Sequence, residues 1–351
     1  MDMESISSTE MVGLAAAVTC AALFLKNFSQ CLYKLKLYIQ GFIFMALCKD
    51  KKWKKPADPS DFSAAFAPGK VKKKTLVFVR HGESTWNDVF NKGQRPLGTF
   101  LLGYLPTMAK SLAHEAYLFF VGAPDSLFYD SPLSIEGMEQ VARLKQFLSV
   151  PAPAAGTREA ELVALLRGDE GAPPSVLMSS NLRRAISTVA CAFSDRIARR
   201  GDKIVLHHDL QEISRNIDAL SITPPRRPAV ASYLEVASDI CDFVEIYEKH
   251  VDASINAGNK SMDSNGLRRM SAFNDYAFTV EEEAIIVGGH SLWFREFFRT
   301  FLPYAEEHVS KKKKLVNAGA VSFTLLQGKK DDGAPVYMID PKSIEVIYGG
   351  F

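Results

Sequence analysis

The stretch "LVFVRHGESTWN", residues 76–87, joins four apolar side chains to an Arg-His-Gly tripeptide. A short apolar run that ends at such a polar turn is typical of a buried strand. Arg80 and His81 therefore follow directly after a strand. In α/β sheets, ligands gather at the carboxyl ends of the strands, so this pair is the first candidate for a functional site.

Outward from this strand, short apolar runs alternate with amphipathic stretches. We predict helices after Ser134, after Leu182 and over residues 292–302, because apolar side chains recur there every three to four residues. The predicted strands cover residues 75–79, 175–180, 203–207, 284–289, 320–326, 334–339 and 344–348. This alternation predicts an α/β fold, a three-layer sandwich with a mostly parallel central sheet flanked by helices.

The composition sets outer limits on function. Of 351 residues, 47% are hydrophobic and 23% are charged, which suits a packed core and excludes global disorder. The net charge of +2 argues neither for nor against a polyanionic partner, and we expect no nucleic-acid partner. The five cysteines form no CxxC pair, so neither a zinc site nor a disulfide framework is indicated, and a reducing compartment is favoured.

The first 55 residues differ from the rest and are predicted to form a membrane anchor or targeting segment. Residues 11–25 and 37–48 are apolar runs, and lysines cluster after them at 49–55 and 70–74. The first run is slightly short of the roughly 20 apolar residues that a spanning helix needs. The lysines place the downstream chain on the cytoplasmic side of a single-pass or tethered protein. A presequence that is later removed is the alternative.

The remaining chain is predicted to contain a linker over residues 56–74 and a catalytic domain over 75–351. Residues 88–129 read as an apolar and aromatic insertion that forms a helical lid or a patch facing a membrane or partner. The four lysines at 311–314 are interpreted as a solvated face, with substrate or membrane contact as the alternative.

Further chemistry-bearing residues follow the later strands: Arg184 in the first turn of a helix, Glu212 after the strand at 203–207, and His290 after the strand at 284–289. Two arginines beside two histidines repel one another unless an anion lies between them. A tetrahedral phosphate accepts forked hydrogen bonds from both guanidinium groups. The helix that opens at His290 adds free backbone N–H groups, and Gly288 and Gly289 are expected to let the backbone approach the ligand.

Such a cradle predicts covalent catalysis on phosphorus. One imidazole nitrogen can act as the nucleophile while the other is held by a backbone carbonyl. Glu212 can deliver a proton to the leaving oxygen and later take one from water. The sequence therefore predicts a two-step reaction through a phosphohistidine that requires no metal and no cofactor.

Five blocks of the sequence, in order, resemble the histidine phosphatase superfamily, particularly the branch shared with cofactor-dependent phosphoglycerate mutase. They are "RHGESTWN" (80–87), "DSPLSIEGMEQV" (130–141), "SSNLRRAISTV" (179–189), "LQEI" (210–213) and "IIVGGHS" (285–291). Each is similar to a family motif in the expected strand or helix context. The resemblance departs from the family at Ser291, where many relatives have glycine.

The resemblance implies a role for each matched residue. His81 is the phosphorylated nucleophile, and Glu212 is the proton donor. Arg80, Asn87 and Arg184 bind phosphate, and His290 holds it and steadies the transition state. Because the family arginine directly precedes alanine, Arg184 takes this role and Arg183 is left as a surface residue.

The reaction expected first is hydrolysis of a phosphomonoester, with a phosphorylated small molecule or phosphoprotein as substrate. A mutase-type phosphotransferase is the alternative, although the only further basic residues after the acid lie in "PPRRPAV" (224–230), a poor match in position. A catalytically weak membrane scaffold that binds phosphorylated partners is the third possibility.

Overall fold

The computed structural model describes residues 8–91, 96–150, 156–227 and 229–351, without the side chains of residues 8–10, 99 and 100. Its strands join into one eight-stranded sheet in the order β4-β3-β2-β5-β1-β6-β7, with β8 also paired to β6. They are β1 (Lys72–Arg80), β2 (Ser175–Ser179), β3 (Ile204–Leu206), β4 (Val251–Asp252), β5 (Ala284–Gly289), β6 (Ala320–Lys329), β7 (Pro335–Ile339) and β8 (Glu345–Tyr348).

The α/β architecture expected from the sequence is confirmed, but the sheet is mixed rather than mostly parallel. Strands β4, β3, β2, β5 and β1 run parallel, whereas β6 is antiparallel to β1, β7 and β8. The connections explain the change: β6, β7 and β8 follow one another through short loops, and antiparallel neighbours need no crossover helix.

Helices cover both faces of the sheet. They are α1 (Ser8–Lys26), α2 (Phe28–Leu47), α3 (Thr85–Phe90), α4 (Leu97–Phe120), α5 (Ile135–Ser149), α6 (Arg158–Arg167), α7 (Arg183–Ala192), α8 (Ser194–Arg200), α9 (Tyr233–Val236), α10 (Phe243–His250), α11 (Gly266–Ala277), α12 (Ser291–Phe301) and α13 (Val309–Lys312). Alternate side chains of β1 enter the two cores: Val77 and Val79 pack with α5 to α8, and Leu76 and Phe78 pack with α11 and α12. The sheet is therefore the middle layer of three.

Two contacts fix the strand-end loop after β1. The Ser134 hydroxyl accepts a hydrogen bond from the N–H of Gly137, and so caps α5 as its sequence predicts. A Cβ on Gly137 would lie 2.0 Å from the carbonyl oxygen of Glu83. Glycine is thus required at position 137 because the start of α5 presses directly against the backbone that follows His81.

The segment predicted as a linker is instead packed against the sheet. Residues 56–74 include a 3₁₀ helix, Pro59–Phe66, and the first residues of β1. The Asp58 carboxylate accepts the N–H of Ser60 at 3.0 Å and that of Tyr304 at 3.1 Å. A proline- and alanine-rich composition hides this structure, because Tyr304, the residue that ties Asp58 to the domain, is far from it in the sequence.

Within the part of the chain that the structure describes, no single helix combines the length and apolar character needed to cross a bilayer. Helices α1 and α2 meet such a test only as a pair, and the pair is bent by 91° at Asn27. In the insertion predicted over residues 88–129, α4 is the principal element. It packs beside the N-terminal helices, where the Tyr38 hydroxyl donates to the Glu115 carboxylate at 2.7 Å.

Candidate active site

Two neighbouring parallel strands bring the histidines together. Strands β1 and β5 pair in register with Arg80 opposite Gly289, so each strand ends in a histidine, His81 and His290. The N–H of His81 donates to the carbonyl of Gly289 at 3.0 Å, and the two imidazole ring centres are 5.0 Å apart. The expectation that strand ends assemble the chemistry holds for this pair.

A polar cavity of about 170 Å³ opens at this edge of the sheet. Its lining consists mostly of charged and amide side chains: Arg80, His81, Trp86, Asn87, Asn91, Arg184, Glu212, Ser214, Asn216, Asp218, Ser291, Leu292 and Lys314. Five of the six predicted site residues are therefore in its wall. Larger cavities of about 500 and 440 Å³ lie elsewhere on the described chain, but neither contains the arginine and histidine set.

The ring of His81 is held in one tautomer. Its Nδ1 lies 2.5 Å from the carbonyl oxygen of Gly82. Since a carbonyl can only accept, Nδ1 carries the proton and Nε2 keeps its lone pair. Burial, together with the charges of Arg184 and Arg80, holds the pKa of His81 well below its ordinary value. The imidazole is therefore neutral at physiological pH, as a nucleophile must be.

Arg80 and Arg184 both retain unpaired hydrogen-bonding capacity. The Nη1 of Arg80 donates to the carbonyl of Leu315 at 2.6 Å, and the Nη1 of Arg184 donates to the carbonyl of Asp218 at 2.7 Å. The Nε of each guanidinium is buried and has no hydrogen-bond partner among the described residues. Burial lowers the pKa of Arg80 to about 10. The charge of both guanidinium groups would favour an oxyanion in the cavity that they line.

His290 lies behind the cavity rather than in its wall. It is fully buried, and its Nε2 is 2.9 Å from the Ser180 hydroxyl, whereas its Nδ1 has no partner within the described chain. Burial, Arg184 and His81 keep the pKa of His290 well below the usual value. The predicted contact of His290 with phosphate therefore stays a prediction.

Glu212 lies at the start of α12. One carboxylate oxygen accepts the N–H of Ile213 and that of Trp293, both at 2.9 Å, and the other accepts the N–H of Leu292 at 3.2 Å. Negative charge is stabilised at a helix N-terminus. The backbone N–H groups of Leu292 and Trp293, which we expected to bind phosphate, therefore donate to this carboxylate.

Two charged residues of the cavity were not assigned to the site from the sequence. Asp218, six residues after Glu212, is buried, and one of its carboxylate oxygens lies 3.4 Å from Nη2 of Arg184. Burial raises the pKa of Asp218. Lys314 belongs to the lysine run interpreted as a solvated face, yet it lines the cavity, and burial followed by the charge of Arg80 lowers its pKa. Neither residue stands in a motif that could have signalled it.

The assignment of Arg183 to the surface is wrong. Its side chain is fully buried, with Nη1 2.5 Å from an oxygen of Asp125 and Nη2 donating to the carbonyls of Ser126 and Asp130 at 2.9 and 3.0 Å. Arg183 and Arg184 occupy adjacent positions on α7 and so point in different directions. Arg183 forms a buried ion pair with Asp125, and Arg184 lines the cavity.

The expectation for Gly288 and Gly289 is also wrong. A Cβ on Gly288 would lie 2.3 Å from the Val189 side chain, and one on Gly289 would lie 2.8 Å from the Phe294 ring. These glycines admit α7 and α12 against β5 rather than a ligand. Close helix packing and close ligand approach leave the same mark in a sequence, so the sequence alone could not separate them.

Other candidates lie outside the cavity. His207 is buried against Phe273 and Tyr276, and His208 is partly exposed. Arg226 and Arg227 do not line the cavity, nor does any described residue of α4, whereas Asn91 of the predicted insertion does. Among the residues described, no group of three or more His, Cys, Asp or Glu is placed to hold a metal ion.

No family model and no curated protein matches the sequence. The solved structures that overlap the chain include a mycobacterial glucosyl-3-phosphoglycerate phosphatase (14% identity, TM-score 0.35, 76% of this chain and 97% of that one). A phosphoserine phosphatase mutant from Entamoeba histolytica (15%, 0.32, 75% and 94%) and mycobacterial hydrolase 1 (13%, 0.35, 77% and 97%) are similar. At these identities and TM-scores the overlaps carry no argument about activity. The resemblance to the histidine phosphatase superfamily stands on its five motif blocks.

Proposed function

We propose that the protein hydrolyses phosphomonoesters through a covalent phosphohistidine on His81. The observation that carries the proposal is the cavity itself. A neutral imidazole with a free Nε2 lines it together with two arginines, and each guanidinium has an unpartnered Nε. Two guanidinium groups beside a neutral imidazole suit a phosphoryl group, whose oxygens accept charge-assisted hydrogen bonds from arginine.

The reaction would proceed in two displacements. In the first, Nε2 of His81 attacks phosphorus, the P–O bond to the leaving group breaks, and the leaving oxygen takes a proton from an acid. In the second, water attacks phosphorus, the P–N bond breaks, and the same carboxylate accepts the proton from water. Arg80 and Arg184 would stabilise the charge on the equatorial oxygens in both steps. Neither step calls for a metal ion.

Glu212 is the proposed acid, as the family resemblance implies. It lines the cavity and is fixed by three backbone N–H groups, so its position is well defined. Asp218 is the competing carboxyl group. Its contact with Arg184 favours a different role, because a carboxylate there competes with phosphate for the same guanidinium.

The size of the cavity limits the substrate class. At about 170 Å³ it is smaller than the roughly 300–1,000 Å³ of sites that enclose a whole ligand. It would accommodate the phosphoryl group and the first atoms of the ester, and the rest of the leaving group would extend past Asn91 and Asn216. A phosphorylated small polar molecule or a phosphorylated side chain of a protein would fit this arrangement.

The test is steady-state turnover of an aryl phosphate in the presence of a chelator, with the full chain, His81→Ala and a matched control, His208→Ala. The control removes a partly exposed imidazole that does not line the cavity. We expect wild type and the control to turn over at the same rate and His81→Ala to lose at least about a thousandfold. Equal rates for all three would overturn the proposal.

The two alternatives give different results in the same assay. A phosphotransferase would pass the phosphoryl group to an added sugar acid faster than to water. A scaffold would bind phosphorylated peptide without turnover. No contact in the cavity favours either alternative, so each serves as an outcome that would replace the proposed hydrolysis.

A further inference from the structure

Helix α2 carries two apolar faces. One is buried on the domain through Cys31, Leu37, Gly41 and Phe44. The other is solvent-exposed and consists of Phe28, Leu32, Leu35, Ile39 and Phe42. The exposed residues recur at i, i+4, i+7, i+11 and i+14, which places them in one stripe opposite the buried face. A surface helix of a water-soluble protein needs only one such stripe.

Two neighbouring helices also expose apolar side chains. No described side chain of α1 is buried, although the helix is uncharged and apolar from Met11 to Leu25. Helix α4 adds Leu101, Leu102 and Leu105, of which Leu102 is 83% exposed. Asn27 joins the three helices, since its side-chain amide donates to the carbonyl of Phe120 at 3.4 Å and it lies at the bend between α1 and α2. We call this surface, formed by α1, α4 and the outer stripe of α2, the apolar platform.

Positive charge accompanies the platform. Exposed lysines stand at the end of α1, within α2 and directly after α2: Lys26, Lys36, Lys49, Lys51, Lys52, Lys54 and Lys55. An apolar surface bordered by lysines matches the interface of an anionic bilayer, where acyl chains lie beneath negative headgroups. A second copy of this chain fits less well, because it would bring the same lysines to the contact.

We propose that the apolar platform docks the protein on an anionic lipid bilayer, with α2 lying in the interface. This surface is close to the cavity. The inner face of α2 packs through Leu37 and Phe44 in a cluster with Ile217 and Trp86, and Trp86 also lines the cavity. Since a helix is about 10 Å across, docking would hold the cavity wall roughly one helix diameter from the lipid.

Vesicle flotation tests the docking with the full chain. The vesicles contain phosphatidylcholine with or without phosphatidylserine. The double variant Leu35→Glu/Phe42→Glu places two acids in the stripe, and the matched control Ser29→Glu/Gln40→Glu places two on exposed positions of the same helix outside it. We expect wild type and control to float with the anionic vesicles, and the stripe variant to partition about tenfold or more less.

Other outcomes are equally decisive. If wild type fails to float, or the stripe variant floats as well as the control, the docking is refuted. Sedimentation that shows a dimer of wild type, dissociated by the stripe variant without any flotation, would assign the platform to a second copy. Should circular dichroism show that the double variant is unfolded, Leu102→Glu on α4 decides the question alone. His81→Ala should float like wild type, because docking on the bilayer does not depend on the proposed chemistry.

A second observation concerns Asp50, which lies in the segment predicted as an anchor. Its carboxylate is buried and accepts from Lys260 Nζ at 2.8 Å, Arg269 Nη2 at 2.7 Å and the N–H of Ser214 at 3.0 Å. Lys260 in turn donates to the carbonyls of Glu212 and Ser214. Asp50, which lies more than 160 positions earlier in the sequence, thus holds the loop that carries Glu212 through Ser214 and Lys260.

Charge balance makes this network depend on Asp50. Burial lowers the pKa of Lys260 to about 8 even beside the carboxylate. Arg269 is fixed to the same loop through the carbonyls of Asp209 and Gln211. Without the Asp50 charge, two buried cations would face each other beneath the loop, and Lys260 would release its hold on it.

The structure assigns Asp50 as a positioning residue for Glu212, an inference that rests on the proposed function. The test compares Asp50→Asn with Asp58→Asn, a control that also anchors the N-terminal segment but through Ser60 and Tyr304. Each is assayed on an aryl phosphate, whose leaving group needs little proton assistance, and on an alkyl phosphate, which needs an acid.

We expect Asp50→Asn to lower kcat for the alkyl phosphate about tenfold more than kcat for the aryl phosphate. Asp58→Asn should leave the ratio of these two kcat values as it is in wild type. Equal losses on both esters, in proportion to the unfolded fraction, would show a purely structural role and overturn the assignment. An inactive wild type would instead refute the proposed function, so the two failures are distinguishable. Asp50→Glu, which restores the charge, should recover part of the alkyl phosphate rate.

Discussion

Replacement of Arg183 by methionine should destabilise the protein strongly, because Arg183 neutralises a carboxylate that is shut away from water. Its guanidinium pairs with Asp125, and it also donates to the carbonyls of Ser126 and Asp130. Methionine fills much of the space but leaves Asp125 unpaired. Breaking a buried pair in this way costs about 3–5 kcal/mol, against a total stability of about 5–15 kcal/mol.

The measurement is urea unfolding of wild type, Arg183→Met and the double variant Arg183→Met/Asp125→Asn, followed by circular dichroism. The double variant removes the stranded charge, so it should recover part of the lost free energy of unfolding. Arg184→Gln serves as the neighbouring comparison: it should lose activity with a smaller loss of stability. A loss below about 1 kcal/mol for Arg183→Met, typical of an exposed pair, or no recovery in the double variant, would refute the reasoning.

Three further predictions follow from the site and its surroundings. Burial lowers the pKa of His207 to about 4, so below about pH 6.5 the unfolded chain binds a proton that the folded chain does not bind. Between pH 7 and pH 5, His207→Gln should therefore lose about 2 kcal/mol less stability than wild type, measured by unfolding at both pH values. Equal losses for the two proteins would contradict this. Gly137→Ala should destabilise by about 1–3 kcal/mol because its Cβ would meet the Glu83 carbonyl; an unchanged melting temperature would rule out that contact. Asp218→Asn should keep kcat within about tenfold of wild type and strengthen inhibition by inorganic phosphate, because it removes a charge that competes with phosphate for Arg184. Glu212→Gln should lower kcat for an alkyl phosphate by about 10²–10⁴. If Asp218→Asn loses more kcat than Glu212→Gln, the roles of the two residues are exchanged.

The strands and most of the site could be predicted because local signals mark them. A run such as residues 76–79 is apolar for its whole length, and β1 indeed lies in the centre of the sheet, between β5 and β6. His81 and His290 could be brought together from sequence because parallel strands end at the same edge of a sheet. Cap residues such as Ser134 act within four positions of one another, so their role is visible in the chain itself.

What could not be predicted depends on contacts between distant residues. Nothing near Asp50 in the sequence shows that Lys260 and Arg269 will enclose it. The family resemblance selected Arg184 for the phosphate, but nothing near Arg183 in the sequence shows that Asp125 will hold it in a buried ion pair. Lys314 reads as part of a solvated run until the chain places the end of that run beside Arg80.

Trapping the intermediate tests whether His81 becomes phosphorylated during turnover. Wild type mixed with a radiolabelled phosphomonoester and quenched in alkali, which preserves phosphohistidine, should carry the label on the peptide that contains His81. One leaving group per chain should be released in a burst before the steady state. Turnover without label on the protein, or label on any residue other than His81, would contradict the account.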